Sequence, residues 1–177
     1  GPAAEPNVIV RVLRHLWTHW AKELPPRAAA RRKSDESLDS VRGFDNVLSM
    51  VAPEDSVGAN LVNAMLLTTS WIAEDVSPGG CGVVVPQGKG ERLRVGLLVA
   101  VRTAQDPAWR VGIIRRVREH NYRQHHVGIQ NLTRSPLPMR MRTLTGARQE
   151  RKQERAILLS DQPTPSGYLH VLARRDL

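Results

Sequence analysis

The chain has 177 residues, of which 24% are charged and 4% aromatic, and its net charge is +9. That length holds one well-buried domain with an appended helix or subdomain. No apolar run approaches membrane-spanning length and no signal-peptide pattern opens the chain, so a cytoplasmic location is expected, while a single cysteine, Cys81, excludes an internal disulfide and a cysteine-based zinc site.

The opening Gly1-Pro2 reads as the scar of a cleaved tag. Residues 7–24 then place Ile9, Val12, Leu13, Leu16, Trp17, Trp20 and Leu24 at helical spacing, opposite Arg11, Arg14 and Lys22, and Pro25-Pro26 stops them. His15 and His19 stand four apart on this predicted helix, but no third ligand is near in sequence, so they are read as surface or packing residues. Residues 27–37 (RAAARRKSDES) are too charged for a core and read as a loop or arm. Residues 38–66 are ambiguous: VRGFDNVLSMVA fits strand or helix, APEDSVG reads as a turn, and ANLVNAMLL as a short helix or the approach to a strand.

From Leu67 onward the pattern becomes short strands: LLTTSWIAEDVS, GCGVVVP, RVGLLVAVRT, AWRVGIIRRVRE, HHVGIQNLT and PMRMRTL, broken by PGG, QGKGE, AQDP, HNYRQ and RSPLP. Strands at this spacing, separated by Gly/Pro/Asn/Asp turns, predict a small antiparallel barrel or sandwich. In residues 109–116, Trp109, Val111, Ile113 and Arg115 fall on one side and Arg110, Gly112, Ile114 and Arg116 on the other. Residues 145–155 read as a helix or exposed loop, and AILLS and YLHVLAR as closing strands.

Charge is unevenly placed. Residues 36–91 carry 2 basic and 8 acidic side chains, whereas residues 92–155 carry 15 basic and 4 acidic ones. The cations are 22 Arg against 4 Lys, and arginine presents a planar fork suited to phosphate or a guanine edge. Such a block suits an anionic partner such as a nucleotide, a nucleic acid or an acidic protein surface, and is equally the pattern of a solvated basic face. A nucleic-acid barrel would need an aromatic stacking platform, and only one Phe and two Tyr occur. No catalytic triad order, paired carboxylates in a cleft, metal-ligand cluster or phosphate-cradling GxxxxGK is legible, so neither an enzyme nor a cofactor or metal is expected.

Residues 74–82, EDVSPGGCG, concentrate turn chemistry between two apolar runs. Gly79 and Gly80 can take positive φ, Pro78 presets its own, and Asp75 and Ser77 can bond local backbone, so a plain hairpin accounts for them. Upstream, Arg27-Ala-Ala-Ala-Arg31 forms an RxxxR on the arm. The same spacing occurs once more, at Arg151 and Arg155.

The order of an RxxxR arm, a strand, then Asp75-Val-Ser77-Pro-Gly-Gly80 before GVVVP resembles the PilZ domain, a bacterial receptor for cyclic di-GMP. The later run from Trp109 to VGIQNL is similar to a Trp-x-x-Gly strand and its Gly-containing partner in that family. The resemblance covers roughly residues 25–144. It implies a mainly β fold: a small antiparallel six-to-eight-stranded barrel over 25–177, with a basic arm at 25–37, preceded by the tag remnant and amphipathic helix of residues 1–24. Forty-three residues separate Arg31 from Asp75, room for a short inserted helix within 44–65.

The resemblance also implies a cyclic di-GMP site at Arg27, Arg31, Arg32, Asp75, Ser77 and Gly80, with Arg115 and Arg116 as candidates for further phosphate contacts. Arginine forks match guanine O6 and N7 and the phosphates. Asp75 would accept from guanine N–H donors, Ser77 would bond a phosphate oxygen or fix the turn, and Gly80 would let backbone approach the ligand. Ordering of the arm would relay binding to a protein partner or to a missing part of the chain. The competing readings are a PilZ-like scaffold without ligand that binds proteins, and a basic nucleic-acid-binding barrel.

Overall fold

The structure is a computed structural model and describes residues 30–52, 66–86, 93–121, 123–142, 153–161 and 169–174. The chain divides into two compact units, Gly1–Ala30 and Arg31–Leu177. The predicted helix 7–24, with His15 and His19, and the loop at 87–91 lie outside the described residues.

In chain order the elements are β1 (Arg32–Lys33), β2 (Ser37–Arg42), α1 (Phe44–Val51), β3 (Thr69–Ser77), β4 (Gly80–Pro86), β5 (Leu98–Thr103), β6 (Arg110–Asn121), β7 (Gln124–Thr133), β8 (Pro136–Arg142), β9 (Gln153–Leu159) and β10 (His170–Ala173). Strands β2, β3, β4, β7, β6 and β5 pair in that circular order, each antiparallel to its neighbours, and close a six-stranded barrel. Closure removes the free edges that an open sheet would leave. The two-residue β1 adds to β3 beside β2, and β8, β9 and β10 form a separate three-stranded sheet. The fold is therefore mainly β, as expected, and α1 is a short helix inserted between β2 and β3.

Alternation explains the barrel interior. Trp71 and Ala73 from β3, Cys81, Val83 and Val85 from β4, and Val127 and Ile129 from β7 recur at every second position and are buried together with Leu38, Val99, Val101 and Ile114. Trp71 is the largest fully buried side chain, so its truncation would cost about 3–5 kcal/mol. The buried Ser40 avoids an unsatisfied hydroxyl by donating to the Thr69 carbonyl at 2.7 Å.

A second core lies against the outer wall. Val47 and Leu48 of α1 pack with Ala100, Val111 and Ile157, flanked by Phe44, Leu98 and Trp109. Strand β5 thus buries both faces, Val99 and Val101 inward and Ala100 outward, which is why LLVAV is a continuous apolar run. Trp109 packs at this outer core, with the Arg102 guanidinium 4.5 Å from its ring centroid.

Two expectations need correction. Strict alternation in β6 fails because the register shifts between Ile114 and Arg116, so that Ile114 and Val117 both face inward. The polar end of the 145–155 segment is strand, since Gln153, Glu154 and Arg155 pair with β8; residues 143–152 lie outside the described residues. Cross-strand pairing, which local polarity does not report, decides that segment.

Candidate functional site

The β3–β4 hairpin closes at Ser77 and Gly80 across Pro78-Gly79. Ser77 Oγ donates to the Gly80 carbonyl at 3.1 Å. The turn is also tied to β7: Asn131 donates its backbone N–H to Gly79 O at 3.0 Å and its side-chain amide to Pro78 O at 3.2 Å. Of the two glycines expected to take positive φ, only Gly80 does so, at 155°. A Cβ there would lie 2.0 Å from the Ile129 carbonyl oxygen, so close packing of β4 on β7 itself demands glycine.

Asp75 follows a register shift in β3 and stands opposite Gly82. Its Oδ1 accepts from the Gly82 N–H at 3.0 Å and from the Arg31 guanidinium, with which it is ion-paired. A Cβ on Gly82 would approach this carboxylate to 3.0 Å, so the missing side chain lets Asp75 fold over the strand. The arm reaches Asp75 because it is strand rather than loop at this point: Arg32 pairs with Val76 and Lys33 with Asp75, and Ser34 N–H donates to Glu74 O at 2.9 Å. By that register Arg31 shares the outer face with Asp75, whereas Arg32 falls on the face of Val76, toward the mouth of the barrel.

Beyond Gly82 the outer face continues to Gly128 on β7 and then to Arg116 on β6, which are direct neighbours in register. The Arg116 side chain lies over Gly128, its Nε 3.7 Å from where a Cβ would stand. Arg115, the bulged residue, donates from Nε to Gln130 Oε1 at 2.6 Å. A floor of small residues is thereby bounded by Arg31 and Asp75 on one side and by Arg116 on the other. Guanidinium forks, a carboxylate acceptor and bare backbone suit a planar anionic ligand.

The structure brings Arg31, Asp75, Ser77 and Gly80 together, and sets Arg115 and Arg116 across the floor from them. Arg32 sits on the other face, and Arg27 lies outside the described residues. Sequence reasoning missed Gly82 and Gly128. Gly82 was accessible in principle, since Gly80 and Gly82 are two apart on a strand, whereas Gly128 depends on the β4–β7 pairing.

At the barrel mouth a cavity of about 190 Å³ is lined by Arg32, Glu36, Val76, Cys81 and Val101, among others. Burial, reinforced by the negative charge of Asp75, pushes the Cys81 thiol up to about 11. On the rim, Arg110 is ion-paired with Asp106, and this hydrogen-bonded guanidinium holds the Asp106 carboxyl below its usual range. Among the described residues, no group of three or more His, Cys, Asp or Glu could hold a metal ion. Nor is any described helix long and apolar enough to cross a membrane.

These features define a small closed antiparallel barrel with its chemistry-bearing side chains collected around one hairpin. Residues 63–138, from just before β3 into β8, match the sequence profile of the family described as cyclic-di-GMP receptor FimW, middle PilZ domain, a match that supports a PilZ-type domain over that stretch. Asp75, Ser77, Gly80, Arg115 and Arg116 lie inside the matched stretch; Arg31 and Arg32 precede it. No curated protein matches the chain.

Proposed function

We propose that this chain is a non-enzymatic regulatory domain that binds cyclic di-GMP on the outer face of the barrel, between the Arg31–Asp75 pair and Arg116. The observation that carries this reading is the pairing of an arm arginine with the hairpin carboxylate over Gly82 in a PilZ barrel. Asp75 keeps Oδ2 available for guanine N–H donors while Oδ1 is held by Gly82. Arg31 and Arg116 supply forks for phosphate and for guanine O6 and N7. Ser77, bonded to its own turn, keeps the hairpin in shape.

Ligand binding would exchange the Arg31–Asp75 pair for contacts to the nucleotide and so change the order of the arm, the form in which the signal would pass to a protein partner in the cytoplasm. Calorimetric titration with cyclic di-GMP, with GTP as control and with Asp75→Ala, Arg31→Ala and Arg27→Ala variants, tests the reading. Micromolar or tighter binding that is absent for GTP and weakened in the first two variants is expected. No binding to the unaltered chain would reject it in favour of a protein-binding scaffold.

A further inference from the structure

The consecutive arm arginines serve two different places. Arg31 is taken up by Asp75 on the outer face, while Arg32 lines the mouth cavity and has no ion-pair partner among the described residues. Two of the cavity's other charged residues are already paired, Arg102 with Asp39 at 3.0 Å and Arg110 with Asp106. Glu36 is different. It lines the same cavity, and its Oε1 is buried without a hydrogen-bond partner.

A buried carboxylate oxygen without a donor is costly, and a glutamate's terminal torsion is soft enough to turn that oxygen toward a donor entering the cavity. The unused groups are thus one acceptor and one cationic fork above an apolar floor of Leu38, Val76 and Val101. A phosphate would face Glu36 and Asp106 unfavourably, and a small cation would face Arg32. At about 190 Å³ the space is smaller than the roughly 300–1,000 Å³ of sites for drug-sized ligands, so it suits a fragment the size of one ring system.

We infer that the mouth cavity is a guanine subsite, in which Glu36 accepts from the base's N1–H and N2–H while Arg32 donates to O6 and N7. Guanine presents two parallel donors on one edge and two acceptors on another; adenine offers no such donor pair to a carboxylate. The assignment rests on the cyclic di-GMP reading for the source of the base, and it adds a position that adjoins the Asp75 face through Ser77 and Gly80, which also line the cavity.

The test is chemical-shift mapping of the isotope-labelled full chain titrated separately with 5′-GMP, 5′-AMP and cyclic di-GMP, reading the Leu38, Val76 and Val101 methyls, the Cys81 amide, and the Gly82 and Gly128 amides. Saturable shifts of the cavity floor by 5′-GMP and not by 5′-AMP are expected. Glu36→Gln and Arg32→Ala should each weaken binding by about tenfold or more, the scale of a hydrogen bond to a charged group. Equal shifts by both nucleotides, shifts confined to Gly82 and Gly128, no shifts at all, or undiminished binding in Glu36→Gln would overturn the inference. Cyclic di-GMP separates the two readings. If it fails to bind while 5′-GMP moves the floor, the receptor reading falls and the guanine subsite stands. If it moves only the outer face, the receptor reading stands and the subsite falls.

Discussion

Arg31 and Asp75, forty-four positions apart in the chain, form an ion pair. The pair is about one-third exposed, so solvent screens it, and its own contribution to stability is about 1 kcal/mol or less. A contact this weak holds the arm in register with β3 and still yields to a better partner.

The first prediction follows from that balance. Asp75→Ala should weaken cyclic di-GMP binding by about ten- to a hundredfold, as expected for loss of a charged acceptor. Arg31→Ala should weaken it less than additively with Asp75→Ala, because each change also dissolves the Arg31–Asp75 pair. A calorimetric double-mutant cycle measures the coupling, and strict additivity would show that the two residues act separately.

Gly80→Ala should destabilise the fold by about 3 kcal/mol, the upper range for overpacking, because its Cβ would meet the Ile129 carbonyl at 2.0 Å. Gly79→Ala is the control: nothing lies within 4 Å of its Cβ and its φ is not positive. Urea unfolding of the two variants should therefore separate them, with Gly79→Ala within about 1 kcal/mol of the parent.

Asp161 accepts from Thr133 Oγ1 and, at 2.8 Å, from the Arg134 N–H, joining the end of β7 to the segment after β9. Burial pushes its carboxyl up, but these hydrogen bonds outweigh burial and leave it below the ordinary 3.8. A lowered native pKa means that its stabilisation is fully present above about pH 3.8 and is lost as pH falls through the native value. Asp161→Asn should cost about 0.5–1 kcal/mol at pH 7, with solvent screening included, and this difference should vanish below that window in pH-dependent denaturation.

Cys81 has the opposite sign. Its thiol ionises near 11 in the folded barrel against an ordinary 9.0, so the chain should lose stability between those values as the unfolded thiol ionises first. At pH 8 a thiol reagent should label the native protein slowly and at a rate that follows unfolding, which a stopped reaction in increasing urea would measure. Rapid labelling without denaturant would contradict the burial of this side chain.

The strands of the barrel are legible because Val, Ile and Trp alternate between turns such as Ser77-Pro-Gly-Gly80 and Ala104-Gln-Asp-Pro107, and one face of each strand must be buried. Bulges are not legible in this way. Arg115 adds one residue to β6 and shifts the parity of everything after it, and no local residue preference announces that insertion. On the site, Asp75, Ser77 and Gly80 stand out because turn chemistry is dense and short in range. The partition of Arg31 and Arg32 to different faces depends on β1 pairing with a strand forty-odd positions later, as does the setting of Glu36. Gly128 reads as an ordinary strand glycine until β4 is known to lie beside it.

Strand β5 serves as the barrel's datum. Because it separates two cores, a slip of one residue would push Ala100 into a space filled by valine and drive Val99 or Val101 against α1 at the same moment. Volume errors of opposite sign on the two faces cannot be relieved by moving the strand either way. The other strands can bulge, as β3 and β6 do, while their positions stay referenced to this one line of backbone. The hairpin that carries Asp75 is therefore positioned from the far side of the molecule, through a strand with no residue on the outer face described for the ligand.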